Sequence, residues 1–460
     1  MKSHILKHPI IDTHNIDKLK PWENLIFVFT IFTGLMAPAP QYLGGFLIVG
    51  WFLFKRQWKS VPFLADISKN QPLSSIFSEI KKFNPALNYI VKGSMFGILF
   101  TLAPAIFFLA VKPIDLSITK IISDYYHLIT KLFIYAPLTI LIYLCAVKRG
   151  FKFKNGINIF ILLLTINLIY LIVQRYTGID LVHGIHAKLP VNRLISAEGI
   201  YRTSGAMSHP LILGYNCMMF TLVSYSMIFM KNEKNERLKW IYIFAVSFFS
   251  LVLTNSRWPT FVTVFLMISF EIRIFWKFKK WILPFLSTVL LLLFFLWNST
   301  TFLNRYKELL IENVSWEERI PRISFWKIHW QMFMDHPLLG VFYPLRKTES
   351  LDYYVKAGYT NIEQMYSAHN IYLQTLSDSG ILGMLGLLSL IIGYFKAGGY
   401  LYRNYGNRSL LMLCLSAILA GFMQNTFRDT EYIFGFWLCV TLILVENITT
   451  NQEHDKIRDF

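Results

Sequence analysis

Four short stretches place cationic or titratable side chains beside apolar runs: "YRTSGAMSHP" with Arg202, "LTNSRWPT" with Arg257, "RIPRISFW" with Arg322 and "YSAHNIYL" with His369. Arginines that converge on one face hold a phosphate or pyrophosphate through bidentate, charge-assisted hydrogen bonds. Histidine has an ordinary pKa of about 6.5 and so can take a proton near neutral pH. Together the four stretches supply the parts of an anion site with a base beside it. Each has a plainer reading. A single arginine beside a membrane commonly snorkels to headgroups, and a lone histidine is commonly a hydrogen-bonded structural side chain. His183, His186, His209, His329 and His336 are rival histidines, and Glu363 and Asp335 are rival bases.

The elements that must position these residues are membrane spans. The chain has 460 residues, 54% of them hydrophobic and only 16% charged, which is far from the composition of a soluble globular domain. Apolar runs long enough to cross a bilayer are centred near Val28, Ile48, Phe100, Ile140, Leu164, Met219, Phe244, Val264, Leu290, Leu387, Leu415 and Leu442. The expected fold is therefore all-α and polytopic, with about twelve transmembrane helices. About 28 of the 45 Lys and Arg fall in the termini and in the loops on the same side as the termini. The positive-inside rule then puts both termini in the cytoplasm and the four stretches on the outer face. The formal net charge of +18 comes mainly from short juxtamembrane loops, so it argues for lipid contact and against nucleic acid. Residues 1 to 20 are too polar for a signal peptide, so the first span is expected to stay.

Cys145, Cys217, Cys414 and Cys439 all fall in expected spans without CxxC spacing, which indicates neither a disulfide framework nor a zinc site. Lys131, Lys239, Glu271, Lys396 and Glu446 lie toward span ends. That weakens a transporter reading, because ion-coupled transport usually needs ionisable groups at depth.

Two loops are longer than ordinary connections. Residues 56 to 88 read as a cytoplasmic linker with an interfacial helix. Residues 301 to 379 face outward and form the only segment large enough to build a site. Within it, Pro321 marks a helix start, and His336, Pro337 and Gly340 mark its stop. Ile323, Trp326, Trp330 and Phe333 share one face at helical spacing, as on an amphipathic helix lying in the outer interface. Arg322 falls in the first turn, where the helix dipole disfavours a cation; an anion shared with the free N–H groups would account for it. Asn370 stands at the start of the helix that runs into Gly380. Gly380, Gly383 and Gly386 are spaced for close helix packing.

In order, "LTNSR", "RISFWKIHWQMFMDHPLLGV" and "AHNIYLQTLSDSGILGMLG" resemble the O-antigen ligase and polymerase superfamily, with "RTSGAMSHPLILG" a weaker upstream match. The resemblance covers about residues 250 to 390 of what would be one membrane glycosyltransferase domain, residues 1 to 460. It implies a multi-pass bacterial inner-membrane enzyme whose donor is a glycan on undecaprenyl pyrophosphate. It also implies that Arg257 and Arg322, with Arg202 less clearly matched, bind the donor pyrophosphate and that His369 is catalytic. The acceptor would be lipid A core for a ligase or a second lipid-linked repeat for a polymerase. A protein O-oligosaccharyltransferase and a transporter of lipid-linked glycans are the further alternatives. No cofactor is expected: pyrophosphate leaves readily once arginines neutralise it, no P-loop lysine motif is present, and the chemistry demands no metal. Trp258-Pro259 after Arg257 departs from the small residues often found there, though proline is tolerated in a first turn.

Overall fold

The computed structural model describes residues 20, 23, 25–27, 29–30, 47–51, 73–111, 117–148, 151, 153–182, 203–231, 233–277, 321–359 and 367–458. Arg202, His183, His186, Glu363 and the expected span around Leu290 lie outside them. Among the described residues every regular element is helical. In chain order these are α1 (Leu73–Phe83), α2 (Pro85–Val111), α3 (Ile118–Ile129), α4 (Tyr135–Lys148), α5 (Phe153–Thr177), α6 (Pro210–Ile228), α7 (Lys234–Leu253) and α8 (Arg257–Lys277). They are followed by α9 (Pro321–Asp335), α10 (Arg346–Lys356), α11 (Ile371–Tyr405), α12 (Ser409–Gly421) and α13 (Thr430–Arg458).

Among the described residues, six stretches are long and apolar enough to cross a membrane: Pro85–Ala110, Ile118–Val147, Gly156–Thr177, Pro210–Ile228, Ile371–Tyr405 and Thr430–Asn447. They correspond to six of the twelve expected centres. Arg257–Phe270 and Ser409–Gly421 are shorter apolar helices at two more, and α7 covers Phe244. The protein is thus an all-α, membrane-integral chain. The helix expected within residues 56 to 88 is α1, where Ile80 is buried while Lys81 and Lys82 are exposed.

Burial separates the spans into central and peripheral ones. In α6 and in the apolar part of α13, 83% of the most apolar window is buried, against 33% in α2 and α5. The inner pair can therefore carry polar groups away from lipid, and α6 buries Asn216, Thr221, Ser224 and Ser226 completely. Intrahelical bonds, such as Thr221 Oγ1 to the Cys217 carbonyl at 2.7 Å, satisfy two of these hydroxyls. All four cysteines are buried and unbridged. At one end of the pair, Lys231 after α6 is ion-paired with Glu446 on α13.

α11 lies along α2 through glycines on both helices. A Cβ on Gly393 would fall 2.8 Å from the Tyr89 carbonyl, and one on Gly386 would fall 2.7 Å from Thr101 Oγ1. Small residues of this kind let membrane helices approach to backbone distance. Gly386 therefore packs as expected, whereas the atoms nearest a Cβ on Gly383 belong to its own helix, at Ser379 and Thr375.

Lys131 is nearer the middle of its helical run than the apolar pattern indicates. α3 continues into α4 through a π-helical turn, Thr130–Ile134, which adds twelve residues before the apolar part. Lys131 Nζ still reaches Thr430 Oγ1, 2.8 Å away at the start of α13, so it sits level with the end of that central helix.

Candidate active site

Proline opens α9 because its fixed φ and missing N–H suit the first helical position, and Arg322 follows in that first turn. The helix ends at Asp335, and the turn carrying His336, Pro337 and Gly340 folds back onto α11. There the Ile381 N–H donates to the Pro337 carbonyl at 2.9 Å, and the Val341 N–H donates to the Ser377 carbonyl at 2.9 Å. The docking needs glycine. Gly380 sits at φ 64°, ψ −161°, a region open essentially to glycine alone, and a Cβ there would lie 2.3 Å from the Leu338 backbone. Gly380 thus both breaks α11 and lets the turn after α9 approach to backbone distance, so α9 is locked to the first turns of α11.

His369 stands immediately before α11. Asn370 is its N-cap, with Oδ1 accepting from the N–H groups of Tyr372 and Leu373 at 3.0 and 3.1 Å. His369 itself has φ 47°, in the small left-handed region that non-glycine residues seldom occupy. Ser367 Oγ accepts its N–H at 3.3 Å, and Trp326 Nε1 of α9 donates to the Ala368 carbonyl at 3.0 Å. The His369 ring faces Phe325, one turn beyond Arg322, at a centroid distance of 5.9 Å.

The structure brings Arg322 and His369 together. Burial pushes the His369 pKa below the usual histidine range; the Gln424 hydrogen bond raises it, and the nearby Arg322 guanidinium lowers it. Burial also lowers the Arg322 pKa, with Tyr215 the nearest group that raises it, and an arginine remains charged throughout. No carboxylate pairs with Arg322 among the described residues. Its hydrogen-bonding contact is Nη1 to Met423 Sδ at 3.6 Å.

A short polar stretch between α12 and α13, "MQNTFR", holds this site from the other side. Met423 meets Arg322, and Gln424 Oε1 lies 3.1 Å from His369 Nδ1. Asn425 Nδ2 donates to Ser367 Oγ at 2.7 Å and to Gln374 Oε1 at 3.3 Å, and that same Gln374 oxygen accepts the Ala368 N–H at 2.7 Å. Gln374 Nε2 in turn donates to Asp378 at 3.0 Å. Asp378 is fully buried and forms an ion pair with Arg428. Of the residues joined here, sequence reasoning singled out Arg322 and His369 as site residues and missed Met423, Gln424, Asn425, Gln374, Asp378 and Arg428. The available signal was a polar run carrying an arginine and two acids, "QNTFRDTE", between two apolar helices.

Arg257 begins α8 and is exposed. Its neighbour Trp258 donates through Nε1 to the Leu419 carbonyl at 2.9 Å, one turn before Met423. It therefore belongs to the same end of the helix bundle. The helix starts at Arg257 with Pro259 in its first turn, so the proline does no harm there.

Among the rival histidines, His209 is the N-cap of α6, its Nδ1 accepting the Leu211 N–H at 3.1 Å. His329 is fully buried with Nδ1 2.7 Å from Ser377 Oγ. Burial pushes its pKa down to about 4, Asp378 raises it, and Arg428 and His369 lower it; it stays neutral at physiological pH. His336 is exposed. Asp335 is also exposed and accepts a hydrogen bond from the Tyr353 hydroxyl at 2.7 Å.

The side of α9 that packs inward is distinct from the face its apolar pattern assigns to the outer interface. Trp330 is 50% exposed, whereas Ser324, Ile328, His329 and Met332 are buried. The helix turns its Ser324–His329 side inward because His329 has its partner on α11, and this leaves the tryptophan outside.

Residues 242–388 match the family model described as O-antigen ligase. The chain carries an O-antigen ligase family region. That region contains Arg257, Arg322 and His369, and it ends before Met423, Gln424 and Arg428. None of the curated proteins compared with the chain matches it.

Proposed function

We propose that this protein is an O-antigen ligase that moves a glycan from undecaprenyl pyrophosphate onto lipid A core. The observation that carries the reading is the placing of a half-buried arginine, without a carboxylate partner among the described residues, beside a half-buried histidine of lowered pKa, inside the O-antigen ligase region. In the proposed reaction the acceptor hydroxyl oxygen attacks the anomeric carbon while His369 takes its proton. The bond from that carbon to the pyrophosphate oxygen breaks, and the electron pair leaves with undecaprenyl pyrophosphate. Direct displacement inverts the anomeric centre. Arg322 and Arg257 stabilise the charge growing on the leaving group, and Arg202 is assigned to the same anion. No metal step is invoked, because guanidinium groups neutralise the pyrophosphate. The family resemblance implies a bacterial inner membrane, and the lysine and arginine distribution supports both termini in the cytoplasm with the site facing the periplasm. We assign residues 1 to 460 to one catalytic membrane domain.

The test is transfer in liposomes containing purified protein, undecaprenyl-pyrophosphate-linked glycan and lipid A core. Glycan should appear on lipid A core, and His369→Ala should lower the rate by about 10²- to 10⁴-fold, the usual worth of a general base. Glycan that instead lengthens on its undecaprenyl carrier would reassign the protein as the polymerase with the same site. Movement of donor across the bilayer without a new glycosidic bond would make it a transporter.

A further inference from the structure

Gln424 touches the histidine but has no part in the scheme above. Its Oε1 lies 3.1 Å from His369 Nδ1. An amide oxygen only accepts, so the contact is attractive only when Nδ1 carries a hydrogen. A neutral imidazole has one N–H, which leaves Nε2 with its lone pair. We infer that Gln424 is a positioning residue that holds His369 in the Nδ1–H tautomer and presents Nε2 as the proton-accepting atom. The inference rests on the reading of His369 as the base.

The surrounding geometry supports it. A ring nitrogen can be aimed only if the backbone beneath it is fixed, and here the left-handed turn at His369 is fixed on both sides. Ser367 holds its N–H, and the Asn370 cap holds the next turn. Asn425, next in sequence to Gln424, holds Ser367 and Gln374. One backbone segment therefore sets both the turn and the ring, while Phe325 lies tilted against the ring at 5.9 Å between centroids. Among the described residues, the charged and titratable groups around His369 are Arg322 and His329 from α9, with the Asp378–Arg428 pair behind His329. Among these neighbours a neutral amide fixes the tautomer without a carboxylate's strong upward pull on pKa. A base that is unprotonated at neutral pH needs both properties.

The tautomer is read directly by nitrogen NMR of full-length protein in nanodiscs with 15N-labelled histidine, the His369 signals being assigned by their loss in His369→Ala. Above its pKa, His369 should show a protonated Nδ1 and a lone-pair Nε2, and Gln424→Leu should give a mixture of tautomers. An Nε2–H form in the unsubstituted protein, or an unchanged tautomer in Gln424→Leu, would overturn the inference. In the transfer assay, Gln424→Leu should lower kcat by about ten- to a hundredfold with little change in donor KM. Gln424→Glu keeps the acceptor, so it should retain the tautomer while moving the acid limb of kcat upward by about one pH unit. An unmoved limb in that variant would contradict the pairing. Should Gln424→Leu fail to fold, the unsubstituted spectrum and Gln424→Glu decide the matter. Transfer that survives His369→Ala would remove the base reading, whereas the spectrum would still answer for Gln424.

Discussion

Before Gly380, α11 is held by hydrogen bonds and charge; after it, by backbone-close packing against α2. The first part has its Asn370 cap, Gln374 bridging Asp378 to Ala368 and Asn425, and the buried pair of Asp378 with Arg428. The second part has Gly386 and Gly393 against Thr101 and Tyr89. The difference follows from what each part must do. Packing of small residues fixes a helix axis but leaves no polar group to aim. A site needs side chains held to a defined direction, so its half of the helix carries buried polar groups, each of which must find a partner. The break at Gly380 lets one helix serve both demands.

Removing one member of the buried pair should break the polar half most severely. Arg428→Ala leaves the Asp378 carboxylate buried and unpaired, a change that costs about 3 to 5 kcal/mol. Thermal unfolding in detergent would show it, and Asp378→Asn combined with Arg428→Met should recover part of the loss.

Acid should weaken the same half next. His329 is held neutral, with its pKa pushed down to about 4 by burial, whereas an unfolded histidine titrates near 6.5. Its contribution to stability is therefore complete above about pH 6.5 and is lost as pH falls toward 4, by roughly 3 kcal/mol at 1.4 kcal/mol per unit. His329→Gln should flatten that part of the stability profile; an unchanged profile would count against the burial argument.

Glycine substitutions sharpen the contrast at smaller magnitude. Gly380→Ala should cost at least about 1 to 3 kcal/mol, because its φ of 64° and the Leu338 backbone both exclude a side chain. Gly399, on the same helix, has open space around its Cβ position, so Gly399→Ala should be neutral or stabilising by about half a kcal/mol. Melting temperatures of the two variants measured side by side would test the pair.

How legible these regions were in the sequence also divides at short and long range. Pro321, the stop at His336–Pro337 and the Asn370 cap are local signals, and α9 begins and ends, and α11 begins, accordingly. Arg322 and His369 stood out for the same reason, since a cation at a helix N-terminus and a histidine at the edge of an apolar run are anomalies within a few residues. Gln424 and Arg428 meet partners 55 and 50 residues away, and no periodicity encodes such a meeting. The buried face of α9 was illegible for a related reason: His329 faces inward because of Ser377 on another helix, and only the tryptophan face had a local spacing signal.

The most direct test of the shared site is glycan transfer by Arg322→Lys, measured in liposomes over a range of donor concentrations. Lysine keeps the charge but lacks the planar fork that grips a pyrophosphate. With Arg322 acting beside His369 on the leaving group, the variant should fold normally and lose about 10²- to 10³-fold in rate. Near-normal turnover would mean that Arg322 supplies only charge or structure, and the pairing of arginine and histidine as one catalytic site would be wrong.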